Sequence, residues 1–225
     1  MSSLCGRRLR PDRALKPKLH RIRMERTSIT GYVGGAEHLI PAFEAISAPG
    51  VFAHVLDFLP RQPARILEIG AGTGRDAAWL ASQGHGLTAV EPVEQFRKAG
   101  MRLHPSPLIH WVDDRLPLLT RMLGEGDRFD LVLLVAVWQH LAPEERAVAM
   151  TSLSKLLSPF GRIIMSVRHG PGSPDRECFP ARASETVALA CQSNLKVLAR
   201  RSTDSVQEKN RAAGITWTWL VLAHS

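Results

Sequence analysis

Cysteine is scarce in this sequence. The three present, Cys5, Cys178 and Cys191, are odd in number, widely spaced and form no C-x-x-C pair. That excludes a disulfide framework and offers no zinc-ligand spacing, so no metal is expected and a reducing cytoplasm is the expected compartment. Long apolar runs are missing too. The longest, LVLLVAVW at 131–138, falls far short of the ~20 residues of a membrane helix, so no membrane partner is expected. There is no secretory h-region, internal repeat or low-complexity segment. No G-K-[ST] follows a glycine loop, which removes the main support for a triphosphate site.

Acidic residues are few at the amino end. Residues 1–26 hold nine Lys/Arg against two Asp/Glu, so +7 of the formal +8 lies there and the remaining residues are close to neutral at +1. Such an arm reads as a solvated tail or as a handle for RNA, DNA or anionic lipid. Its Arg-rich, acid-poor composition also fits a mitochondrial presequence, and a functional start at Met24 is a further reading. We take 1–30 as a basic, disordered arm and 31–225 as one domain; the nearly neutral globular part lacks the basic face expected of a nucleic-acid enzyme, which favours a small-molecule partner.

After the arm, GYVGG reads as a flexible lead-in and 36–60 as two helices, the second over about 51–58 and ended before Pro60. From residue 64 short apolar runs alternate five times with amphipathic stretches. RILEIG, GLTAVEP, PLIHWVDD, FDLVLLVAV and GRIIMSV are the expected strands. Runs such as LVLLVAV lack polar-out alternation, so helices should cover both faces of a parallel sheet. Toward the end, ASETVALACQSN is helical, and LKVLARRST and GITWTWLVLAH form a closing antiparallel pair.

The stretch RILEIGAGTGRDAAWLA at 65–81 puts Gly70, Gly72 and Gly74 at alternate positions between a strand and a helix. A glycine turn at the carboxyl end of a first strand is where open α/β sheets bind nucleotide-like ligands. The G-x-G-x-G spacing differs from the dinucleotide G-x-G-x-x-G. With these residues on the page, ILEIGAGTGRDAAWLA resembles motif I of the class I S-adenosylmethionine-dependent methyltransferases, and the resemblance runs in order through residues 64–167.

That resemblance implies a Rossmann-like, doubly wound α/β sheet, mostly parallel and seven-stranded with an antiparallel C-terminal strand. It divides the chain into N-terminal helices at 31–60, a cofactor-binding core at 64–168, and a substrate loop with closing strands at 169–225. It implies S-adenosylmethionine as cofactor, cradled by Gly70, Gly72 and Gly74. Glu91, ending the second strand, would bind the ribose hydroxyls, which suits a carboxylate facing a diol. Asp113, with Asp114 in reserve, would accept from the adenine amino group. Glu68 would hold the loop and the ammonium region. Arg75 either pairs with the methionine carboxylate or is a solvated first-turn residue, and Asp76 supports the positive end of the helix.

Methyl transfer is an in-line displacement that chiefly needs alignment in a dry pocket. VWQHLAP and SVRHGPGSPDRECFP supply Trp138, Gln139, His140, Arg168 and His169. His140 or His169 would take an acceptor proton and Arg168 would hold an acidic substrate, while each also has a purely structural reading. The second loop reads as a lid. The sequence lacks [DN]-P-P-[YFW] and the P-C nucleophile, which favours a small-molecule acceptor. An RNA methyltransferase using the arm, or a non-catalytic cofactor-binding partner subunit, are the alternatives. Oligomeric state and acceptor atom are not encoded in any of these motifs.

Overall fold

A computed structural model describes residues 21–173 and 176–225, with side chains from residue 29 onward. Seven strands, β1 (Arg65–Ile69), β2 (Gly86–Val90), β3 (Ile109–Val112), β4 (Phe129–Leu134), β5 (Leu157–His169), β6 (Leu195–Asp204) and β7 (Thr216–His224), form one sheet ordered β3-β2-β1-β4-β5-β7-β6. The pairs among β1 to β5 are parallel, and β7 runs antiparallel to both β5 and β6. The expected fold class therefore holds. Winding reverses between β1 and β4, and this opens a crevice at their carboxyl ends.

Alternate strand residues feed two cores. Leu67, Ile69, Val132, Leu134 and Met165 pack on one face, and Ile66, Leu131, Leu133, Ile164 and Val221 on the other. This double coverage is what the unbroken apolar runs predict. The covering helices include α2 (Ala48–Phe52), α3 (Arg75–Ala81), α4 (Glu94–Leu103), α5 (Thr120–Glu125), α6 (Arg146–Leu156) and α7 (Ala183–Gln192).

Two local expectations are corrected, and one further element was not foreseen. GYVGG is not a flexible lead-in: it lies inside α1 (Arg21–Glu44), which also runs through Pro41, so helix begins inside the stretch assigned to the arm. The apolar face of α1, Ile29, Tyr32, Ala36, Leu39, Ile40 and Phe43, packs with Val93 and Phe96. That burial offsets the ~1 kcal/mol per residue that glycine costs a helix. The segment read as one helix over 51–58 is instead α2 followed by a 3-10 turn at Leu56–Phe58. A short helix, α8 (Glu208–Ala212), sits in the connection between β6 and β7. The basic residues at 1–20 and positions 174 and 175 of the lid segment lie outside the described residues.

Candidate functional site

A cavity of about 310 Å³ lies across the carboxyl edge of the sheet, lined from the β1 turn and the end of β2 to Ser166, Trp217 and Trp219. β1 delivers its residues as the chain turns sharply into α3. Gly70 has φ +70°, and a Cβ there would lie 2.5 Å from Val137 Cγ2. Gly74 has φ +77°, and its Cβ would lie 2.7 Å from the Trp111 ring. Both positions thus require glycine through backbone sign and protein packing. Gly72, also left-handed at φ +57°, turns its amide inward.

That amide donates to Glu91 Oε2 at 2.8 Å, and the Val93 amide donates to Oε1 at 2.8 Å. Glu91 is thereby fixed in the cavity wall, with one bond on each oxygen, leaving lone pairs for further donors. Burial raises its pKa to about 7, against the pull of the two amides and Arg97. Arg97 donates to the Glu91 carbonyl at 2.6 Å.

Glu68 is buried, also lines the cavity, and its Oε2 has no hydrogen-bond partner among the described residues. Burial, then the nearby Asp76 charge, holds its carboxyl well above the ordinary range. Arg75 is neither solvated nor left with a free fork. Its Nε and Nη2 donate to the two Asp76 oxygens at 2.7 and 2.8 Å, and Nη1 donates to the Phe43 carbonyl at 3.0 Å. Asp76 is correspondingly a buried ion-pair partner rather than a simple helix-end charge, and burial raises its pKa. This ties α3 to the end of α1, beside a hydrogen bond from the Thr73 hydroxyl to Glu44.

The two aspartates are placed differently. Asp113, whose side chain is 60% exposed, pairs with Arg97 at 2.8 Å and is absent from the cavity wall. Asp114 lines the cavity. Its Oδ2 accepts from the Arg121 and Met122 amides at 2.9 and 3.0 Å, capping α5, which has no side-chain cap of its own. β3 ends at Val112, so strand alternation no longer decides which way either aspartate turns.

Among the loop candidates, His140 lines the cavity, whereas Arg168 and His169 do not. His169 Nε2 lies 2.8 Å from the Thr218 hydroxyl, a contact that joins β5 to β7. Burial chiefly lowers the pKa of His140, and the charges of Arg176 and then Arg168 act in the same direction. Trp138 is fully buried, with its indole N–H on Thr186 at 3.1 Å, and Gln139 donates to the Ala136 carbonyl at 2.6 Å. Tyr32, Phe43 and Trp217 were missed as wall residues. The spacing 29, 32, 36, 39/40, 43 was the available signal for the first two, masked by the glycines between them.

A family model described as "Methyltransferase domain" matches residues 67–165, the segment from β1 to β5. Residues 67–165 thus resemble a methyltransferase domain. Around this domain, the protein-L-isoaspartate O-methyltransferase of Dechloromonas aromatica is 30% identical over 135 residues, 56% of each chain. A ubiquinone biosynthesis O-methyltransferase of Xylella fastidiosa is 32% identical over 104 residues, 46% of this chain and 41% of that one. The chain spans about half the length of these curated relatives. Among solved structures, the Burkholderia thailandensis 1,6-didemethyltoxoflavin-N1-methyltransferase, with bound 1,6-didemethyltoxoflavin and S-adenosylhomocysteine, superposes with a TM-score of 0.70 at 20% identity. That match covers 93% of this chain and 92% of the other. A TehB-like methyltransferase of Corynebacterium glutamicum gives a TM-score of 0.61 at 18% identity, over 88% and 98%. At such identities these likenesses establish the fold.

Proposed function

We propose that the protein transfers a methyl group from S-adenosylmethionine to a small-molecule acceptor. The observation that carries this reading is the buried Glu91 carboxylate, held by the Gly72 and Val93 amides in the wall of a cavity that also receives the glycine turn. The residues fit the cofactor. Glu91 keeps acceptor lone pairs for a diol, and the unpartnered Glu68 Oε2 suits an ammonium group. Asp114 replaces Asp113 as the acid beside the base. The bound cofactor supplies an activated methyl on a sulfonium. The chain's part is to bind it, exclude water and align an acceptor.

The near-neutral charge beyond residue 26 and the aromatic wall at Trp217 and Trp219 favour a small molecule over RNA. A cytoplasmic setting is supported by the unpaired Cys178 and Cys191. No helix among the described residues is long and apolar enough to cross a membrane. The reading is tested by calorimetric titration with S-adenosylmethionine and, separately, NAD. Binding of the first alone, weakened at least tenfold in Glu91→Ala, is the expected result. Binding of NAD alone, or unchanged affinity in the variant, would refute it.

A further inference from the structure

Tyr32 is the only tyrosine in the sequence, and its hydroxyl lies 2.8 Å from Nε2 of His140. The two rings meet edge to face, with centroids 5.3 Å apart at 80°. On the other side of the imidazole, Nδ1 lies 2.8 Å from the Glu177 carbonyl. A carbonyl only accepts, so Nδ1 carries the proton; in the neutral ring Nε2 then accepts, and the Tyr32 hydroxyl donates to it. Tyr32 and His140 both line the cavity. A file of hydrogen bonds therefore runs from the cavity through Tyr32 and His140 to the Glu177 carbonyl.

The surroundings hold both groups neutral. Burial is the main cause lowering the His140 pKa, and the charges of Arg176 and Arg168 act the same way. Burial pushes the Tyr32 hydroxyl up to about 12, with Cys178 and Glu91 adding to the rise and Arg176 opposing it. Gln139 Nε2 is 3.4 Å from His140 Nε2, Cys178 Sγ is 3.9 Å from Nδ1, and the Arg176 guanidinium stands over the Tyr32 ring at 5.0 Å. Nδ1 thus faces a carbonyl rather than a carboxylate.

We propose that Tyr32 and His140 are the proton exit for the methyl acceptor, which is therefore a neutral hydroxyl or N–H compound. The proposal rests on the methyl-transfer reading. As the acceptor oxygen or nitrogen bonds to the methyl group and the methyl–sulfur bond breaks, the sulfonium becomes a neutral thioether. The acceptor's proton passes to the Tyr32 oxygen while the proton of Tyr32 passes to His140 Nε2. Tyr32 ends as it began, and the positive charge lost from sulfur reappears as imidazolium. Beside Arg176 and Arg168 that imidazolium readily discharges to water. A carboxylate or thiolate acceptor arrives ionised and gives the relay nothing to carry.

The first test is long-range 1H–15N NMR of the histidine-labelled full chain at pH 8. His140 as the neutral Nδ1–H form supports the relay; the Nε2–H form or an imidazolium overturns it. The second follows labelled methyl transfer from S-adenosylmethionine to catechol, an N–H purine and benzoate. Transfer to catechol or the purine is expected. Tyr32→Phe and His140→Gln should each lower kcat on that probe at least 100-fold. KM and S-adenosylhomocysteine affinity should stay within threefold, and the acidic limb of the pH profile should vanish in His140→Gln. Undiminished kcat in either folded variant, transfer to benzoate alone, or no transfer to any probe by protein that binds S-adenosylhomocysteine overturns the proposal. Absence of S-adenosylhomocysteine binding instead refutes the reading beneath it, while the NMR result still stands on its own.

Discussion

Glu91 makes ligand affinity depend on pH in a calculable way. Burial raises its pKa from 4.5 to about 7. A rise of that size is worth about 3 kcal/mol in favour of the protonated form. The sign follows: this group contributes stability that is complete below the unfolded value and is lost as pH climbs through about 7. Two ribose hydroxyls donating to the carboxylate favour its charged form and would return its pKa to the ordinary range. Only the ionised fraction then binds well, roughly one molecule in ten at pH 6 and nine in ten at pH 8, so affinity should rise about tenfold between them. Calorimetry with S-adenosylhomocysteine, in buffers of different ionisation enthalpy, should show about 0.9 proton released per ligand at pH 6 and about 0.1 at pH 8. Glu91→Gln should abolish the dependence and hold affinity near the low-pH value. Equal affinity at both pH values with no proton release, or a slope that survives in the variant, would refute the assignment.

The remaining predictions test neighbouring parts of the site. A Cβ at Gly100 would lie 2.4 Å from the Trp111 ring and 2.6 Å from the Thr73 carbonyl, so Gly100→Ala should destabilise by about 1–3 kcal/mol in urea unfolding. Trp111→Leu should recover part of that loss in a double-mutant cycle, whereas strict additivity would contradict the contact. Asp113→Ala should leave S-adenosylhomocysteine affinity within twofold in a fluorescence titration. Asp114→Ala should weaken that binding and cost about 1 kcal/mol through the freed α5 amides; the opposite ranking would restore Asp113. Arg146, buried, donates to the Pro180 and Phe179 carbonyls at 3.0 and 3.2 Å. Arg146→Ala should speed hydrogen exchange across residues 176–182 relative to β4, and unaltered exchange would show the loop is held otherwise.

What could be read without coordinates was whatever a single period or a forced backbone conformation dictates. Leu131 to Leu134 are apolar on both faces, as are Ile66, Leu67 and Ile69 around the single acid Glu68, so buried parallel strands followed directly, and the glycine turn marked the crevice. Asp113 and Asp114 were not separable, because β3 stops before them and a capping bond with α5, not strand alternation, turns Asp114 inward. α1 was hidden for a different reason: glycine and proline carry penalties that local reading counts, while the compensating burial of Tyr32 and Phe43 against Phe96 is tertiary. Arg168 and His169 drew attention as chemistry-bearing residues on a loop-like stretch, yet β5 extends through both.

The charge of the cavity wall bears on which ligand it prefers. Glu68, Asp76 and Glu91 are buried together, with their protonated forms favoured chiefly by burial, and Arg75 is already engaged by Asp76. Among the buried part of the wall these three carboxyls face the single Arg75 guanidinium, so their ionisation leaves it under-neutralised, and one carboxyl oxygen on Glu68 has no partner among the described residues. A ligand that brings positive charge relieves the imbalance, and one that brings none does not. S-adenosylmethionine carries a sulfonium that S-adenosylhomocysteine lacks, so on the proposed reading the ratio of their affinities should move toward the cationic ligand as pH rises and the wall ionises. On the same reading that imbalance would favour product release. A thioether in place of the sulfonium would lack the charge that helped to hold the cofactor, and the wall could take back a proton.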